Sequence, residues 1–172
     1  MERGLFHVRL VIGEVPKRLH AADVLVGRGR TGSPVPWANT VRSRRQGVNF
    51  QTWSRDRGNT WTPLTAIELP NPNSGTDAIT LRDGRQLLVY NHSAHRAEHA
   101  IGDRYPLDIA MSCDGVSWTR VLTLESQPLV SGYAYPAVIQ SAEGLVHVTY
   151  TWDRKKIKHV TLDPAKLPLE RC

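Results

Sequence analysis

Two short turns constrain this fold more than anything else in the chain. "SRDRGNTW" (54–61) and "SCDGVSW" (112–118) both run Ser, any residue, Asp, then Gly, then Trp, and their serines, Ser54 and Ser112, stand 58 residues apart. In a turn of this make-up the Asp carboxylate accepts loop N–H groups, Gly takes a tight backbone angle, and the indole tucks between strands. The motif is a corner piece, so Asp56 and Asp114 read as structural carboxylates and not as catalytic ones.

A repeated corner implies a repeated unit. From residue 46 onward, short alternating or apolar runs are separated by turn residues, the pattern of antiparallel strands. "AITL" (78–81) and "QLLVYN" (86–91) flank Asp83-Gly84, a tight hairpin turn. "YPAVIQ" (135–140) and "LVHVTYTW" (145–152) flank "SAEG" in the same layout, with Tyr135 lying 57 residues beyond Ala78. Third strands follow in "PLDIAMS" (106–112) and "KIKHVTL" (156–162), and a fourth in "TRVLTL" (119–124). Four strands per repeat is the signature of a β-propeller blade.

The expected fold is therefore all-β: a partial β-propeller of about three four-stranded antiparallel blades. Propellers close with about 4–8 blades, so three leave open edges that a larger protein or a homo-oligomer would cover. Residues 41–172 form this segment. Residues 1–40, including "KRLHAADVLVGRGRTGSPVPWAN", show no clear period and stay unassigned.

Composition narrows the function classes. A hydrophobic content of 40% suffices for a core. No apolar run approaches the ~18 residues of a membrane span, and "MERGLFHVRLVIGEVPKR" lacks an export-signal core, so no membrane partner is expected and a cytoplasmic location is favoured. The net charge of +6 invites a nucleic-acid partner. The basic clusters "VRSRRQG" (41–47) and "DRKKIKH" (153–159) carry no interleaved aromatics, however, and read as solvated strand faces, so none is expected. Cys113 and Cys172 share no metal-ligand spacing. "HSAHRAEH" spaces His92, His95 and His99 as one helical face of zinc ligands would, yet it falls in a loop between strands. No metal and no cofactor is expected.

The paired turns resemble the Asp boxes, or BNR repeats, of the sialidase superfamily. The likeness extends through "ELPNPNSGTDAITLRDGRQLLVYNHS", "RYPLDIAMSCDGVSW" and "GYAYPAVIQSAEGLVHVTYTWDRKKIKHVTLDP". Over residues 41–164 the chain is similar to the C-terminal half of bacterial exo-alpha-sialidase-like proteins. The resemblance implies half of a six-bladed propeller and a glycosidase acting on sialic acid or another acidic or complex glycan. The alternative is a non-catalytic half propeller that binds carbohydrate or protein.

Sialidases use an arginine triad on the substrate carboxylate, a Tyr nucleophile activated by a Glu, and an Asp acid/base. A neutral nucleophile avoids repulsion with an anionic sugar. By position, the resemblance assigns the nucleophile to Tyr135, with Tyr133 competing in a Tyr-x-Tyr-Pro run, and strand alternation puts both on one face. One blade earlier the resemblance implies Asp77 as the polarising carboxylate or as an acid/base. Where a triad Arg is expected the chain reads "YNHS", so Asn91 and His92 become substrate contacts together with Arg42, Arg44 and Arg104.

Overall fold

The computed structural model describes residues 37–42, 47–56, 59–94 and 102–168. Ten strands form three antiparallel sheets in which sequence neighbours are sheet neighbours. The first sheet holds β1 (Trp37–Arg42), β2 (Val48–Ser54) and β3 (Thr65–Pro70). The second holds β4 (Asp77–Thr80), β5 (Gln86–Asn91), β6 (Leu107–Ser112) and β7 (Thr119–Glu125). The third holds β8 (Tyr133–Gln140), β9 (Val146–Trp152) and β10 (Lys156–Leu162), followed by a 3₁₀ turn at Pro164–Lys166. This is the expected partial β-propeller, read out as successive blades.

The Asp turns number the strands within each blade. The second turn joins β6 to β7, the third and fourth strands of the complete central blade. The first joins β2 to β3, so the first sheet supplies strands two to four of its blade and the third sheet supplies strands one to three. Trp37 to Thr40 lie in a strand that the sequence pattern does not mark: β1 pairs along its whole length with β2, from Trp37 opposite Ser54 to Arg42 opposite Asn49.

The central blade is buried on both faces. Leu87, Val89, Leu107, Ile109 and Met111 pack against Tyr133, Val138, Val146, Val148 and Tyr150 of the third sheet. The alternate residues Ala78, Leu88, Tyr90 and Ala110 pack against Ile67 and Leu69 of the first. "LLVY" and "LDIA" are continuous runs for this reason: a strand with two dry faces has no polar phase. Each large apolar side chain sealed in this way contributes roughly 1.5–3 kcal/mol. The far face of the third sheet is open and carries the exposed Ile139 and Ile157.

The second Asp turn is built as the sequence predicts, and in the first the Asp56 carboxylate takes its expected loop donors. Asp114 Oδ1 accepts the N–H groups of Val116 and Ser117, each at 2.7 Å, and the Ser112 hydroxyl at 3.0 Å. Asp56 accepts the Thr60 N–H at 2.8 Å and the Thr60 hydroxyl at 2.6 Å. These donors favour the anion and hold both carboxyls down at about 2. Trp118 donates its indole N–H to Gly115 O at 3.2 Å and packs on the Leu88–Tyr90 cluster. Gly115 sits at φ +73, where an added Cβ would fall 2.3 Å from the Trp53 ring, so no other residue fits.

Candidate functional site

The antiparallel strand order sets the two ends of the blades apart. The Asp turns and the β4–β5 and β8–β9 hairpins share one end. The start of β4, the end of β5, the approach to β6 and the start of β8 meet at the other, the rim. The sialidase-like assignment places its residues at this rim.

The start of β8 is irregular. Ala134 lies opposite Thr151 and Ala137 opposite Thr149, so Tyr135 and Pro136 together face the single residue Tyr150. This is a β-bulge, and Tyr135 takes φ +53 within it. The bulge corrects the alternation argument. Tyr133 is buried at 1% exposure, whereas Tyr135 is 61% exposed, because the inserted residue flips the phase between them. Tyr133 donates its hydroxyl to Gln127 O at 3.0 Å and sets its ring edge-on to Tyr150. It is a core residue.

Asp77 lies beside this bulge. Its Oδ2 accepts the Val138 N–H of the next blade at 2.8 Å, and its Oδ1 accepts the Ala78 N–H at 3.1 Å. The carboxylate thus ties the first strands of two blades together immediately after the bulge. Arg104 approaches from the loop before β6. Its carbonyl accepts the Tyr133 N–H at 2.9 Å, and its guanidinium stands 5.6 Å from the centroid of the Tyr135 ring. Gly132, at φ +61, makes this approach available, since a Cβ there would fall 2.7 Å from both Arg104 Cβ and Arg104 O.

Asn91 and His92 separate. Asn91 is wholly buried and donates its amide to Tyr133 O at 3.2 Å and Pro106 O at 3.4 Å, so it bridges β5 to the segments carrying Arg104 and Tyr135. His92 is half-buried; its Nδ1 lies 2.5 Å from the Tyr90 hydroxyl, and its backbone N–H donates to Pro106 O at 3.2 Å. Burial, with the Arg120 charge, lowers the His92 pKa against the opposing pull of Asp108. Asp108 is itself fully buried, 3.4 Å from the Arg120 guanidinium, and desolvation raises its pKa. Sequence reasoning missed Tyr90, Asp108 and Arg120. The available signal was an Asp inside the apolar run "LDIA", where a carboxylate is rare unless paired.

Arg42 ends β1 at the rim, opposite Asn49. Arg44, His95 and His99 lie outside the described residues. Among the described residues no cluster of three or more His, Cys, Asp or Glu side chains could hold a metal ion, and no helix is long and apolar enough to cross a membrane. Tyr135, Arg104, Asp77 and Asn91 are therefore brought together, with His92 one residue beyond Asn91 and Tyr133 behind them in the core. An exposed aromatic face beside a guanidinium suits a ligand with both an apolar ring face and negative charge.

A family profile described as a BNR repeat-like domain matches residues 37–148. A sequence comparison with curated proteins finds no match. By structure, the chain is similar to the NanB sialidase of Streptococcus pneumoniae, with a TM-score of 0.60 and 17% identity over 84% of this chain and 23% of that one. It is also similar to an intramolecular trans-sialidase from Ruminococcus gnavus, with a TM-score of 0.59 and 17% identity over 79% of this chain and 32% of that one. An N-acetylgalactosamine deacetylase from F. plautii, solved with blood group B trisaccharide, gives a TM-score of 0.54 and 15% identity over 74% of this chain and 39% of that one. The likeness is one of fold, and the chain spans between about a quarter and two fifths of the length of these proteins.

Proposed function

The chain belongs to the family of BNR repeat-like domains and has a sialidase-like fold, and from that premise we propose that it recognises an acidic or complex glycan at the rim, through Tyr135, Arg104 and His92. One observation carries this reading: an exposed tyrosine held at φ +53 on a bulge. A left-handed non-glycine residue costs on the order of 1–3 kcal/mol. Tyr135 recovers little of that through burial, so its presentation outward supports a role in binding. The ring offers a face to the C–H side of a sugar, and Arg104 behind it offers charge to a carboxylate.

A second reading, glycoside hydrolysis, follows from the same residue. Tyr135 would be the nucleophile and Asp77 the nearby carboxylate, an arrangement suited to anionic sugars. What favours binding is the aim of Asp77 Oδ2 at the Val138 N–H, which gives that carboxylate a positioning task. The test uses a fluorogenic sialoside and a panel of aryl glycosides, together with direct glycan binding. Binding without turnover, lost in Tyr135→Ala, supports recognition. Turnover lost in Tyr135→Phe supports hydrolysis. Neither binding nor turnover by the unaltered chain overturns both.

A further inference from the structure

At the rim His92, a contact in the recognition reading, is hydrogen-bonded to a residue that neither reading uses, Tyr90. Tyr90, near the end of β5, is fully buried, its ring packed with Ile67, Leu69, Leu88 and Ala110. Its hydroxyl lies 2.5 Å from His92 Nδ1, with the two rings 5.5 Å apart at 67°. A hydroxyl has one proton, and a buried donor left without an acceptor costs about 1–3 kcal/mol. Asp108 is the cross-strand partner of Tyr90, yet neither of its oxygens takes that proton. The acceptor is His92 Nδ1.

We propose that Tyr90 is a positioning residue that locks His92 as the neutral Nε2–H tautomer, so that the rim presents a fixed N–H donor to an acceptor oxygen of a glycan hydroxyl or amide. If His92 carried its proton on Nδ1, the Tyr90 hydroxyl would have to accept and would leave its own proton without a partner in a dry interior. The imidazolium is disfavoured as well: the ring is half-buried and shares its surroundings with the Arg120 guanidinium, which outweighs the attraction of Asp108. Nε2 lies across the ring from the buried hydroxyl, and the His92 backbone is fixed by its bond to Pro106 O. The donor is uncharged, so its contact discriminates by geometry and is insensitive to salt, unlike the guanidinium of Arg104.

The ligand half of this inference rests on the rim being the glycan site, whereas the tautomer stands on the Tyr90 contact alone, and the experiment separates them. Long-range ¹H–¹⁵N spectra of the full chain at neutral pH, with His92→Gln used to assign the signal, are expected to show a protonated Nε2 and a bare Nδ1. Tyr90→Phe is expected to shift His92 toward mixed tautomers and to weaken binding of 3′-sialyllactose by about 3- to 10-fold, the equivalent of one hydrogen bond. His92→Gln, which keeps an N–H donor, restores part of the binding that His92→Ala removes. A protonated Nδ1 or an imidazolium in the unaltered chain overturns the proposal, and that measurement needs no variant to fold. A locked tautomer with no binding of the sugar overturns the glycan reading and leaves the lock standing.

Discussion

Replacing Tyr135 by glycine separates strain from function at one position. Three terms set the stability change. Relief of the left-handed backbone at φ +53 favours the variant by about 1–2 kcal/mol. The extra freedom of glycine in the unfolded chain opposes it by roughly 0.5–1 kcal/mol. Loss of the contact with Arg104, at 5.6 Å on an exposed ring, opposes it by a further ~0.5–1 kcal/mol. Burial adds little, because the ring is 61% exposed. The terms cancel to within about 1 kcal/mol, whereas truncating a buried aromatic costs about 3–5 kcal/mol. Urea unfolding of the unaltered chain, Tyr135→Gly and Tyr135→Asn is expected to give midpoints that differ little at constant slope. Glycan binding is expected to fall at least tenfold in both variants. A loss of more than about 2 kcal/mol in Tyr135→Gly would show that the ring is packed and that its strain has a structural cause. Undiminished binding would remove Tyr135 from the site.

Three further outcomes follow from the same geometry. Tyr133→Phe removes one buried hydroxyl and is expected to cost about 0.5–1.5 kcal/mol by denaturant titration while leaving glycan affinity unchanged; a binding defect would return Tyr133 to the list of contacts. Gly132→Ala places a Cβ 2.7 Å from the Arg104 backbone at an unfavourable φ, so a loss of more than about 2 kcal/mol together with weakened binding is expected, and a neutral result in both assays contradicts the described approach of Arg104. The carboxyls of Asp56 and Asp114 are held at about 2, below the ordinary ~3.9, so their contribution is present above about pH 4 and is lost as pH falls through about 2. Thermal melts of Asp114→Asn between pH 5 and 2 should therefore show a shallower acid slope than the parent, and identical slopes would mean that the corner carboxylate adds nothing.

What the sequence disclosed was local. The hairpins around Asp83 and Glu143 and the two Trp corners are written in adjacent residues, and the recurrence of strands at 57 and corners at 58 residues set the blade length. The orientation of Tyr135 is not local: it depends on a bulge whose neighbour Val138 is bonded to Asp77, 61 positions earlier and in another blade. Alternation assumes an unbroken pleat, so it placed Tyr133 and Tyr135 on one face. β1 escaped notice because "WANTVR" has no regular polar phase and is defined by pairing with β2. The Tyr90–His92 pair was legible in part, since "YNHS" was singled out for what it lacked, an arginine, when its tyrosine was the informative residue.

Strain is distributed unequally between the two ends of the blades, and this bears on which end is functional. Among the described residues, positive φ in the β4–β5 and β8–β9 hairpins and the second Asp turn falls on Gly84, Gly144 and Gly115, which adopt it without cost. At the rim Gly47 and Gly132 take it as well, but so do four residues with side chains: Asn73, Tyr135, Asp153 and Arg154. Two of these have structural partners: Asn73 is buried, and Asp153 accepts the Ser131 N–H at 2.9 Å and pairs with Lys155 at 2.7 Å. Tyr135 and Arg154 are exposed, so burial does not account for keeping a side chain where glycine would be less strained. The same chain that uses glycine for its corners retains a phenol and a guanidinium at matching backbone angles on the opposite end. That contrast supports the proposed placement of the ligand at the rim, and it extends the glycine test from Tyr135 to Arg154. Arg154→Gly is expected to hold or raise the unfolding midpoint while weakening binding of an anionic glycan more than that of a neutral one. Equal loss for both sugars would assign Arg154 to the turn alone.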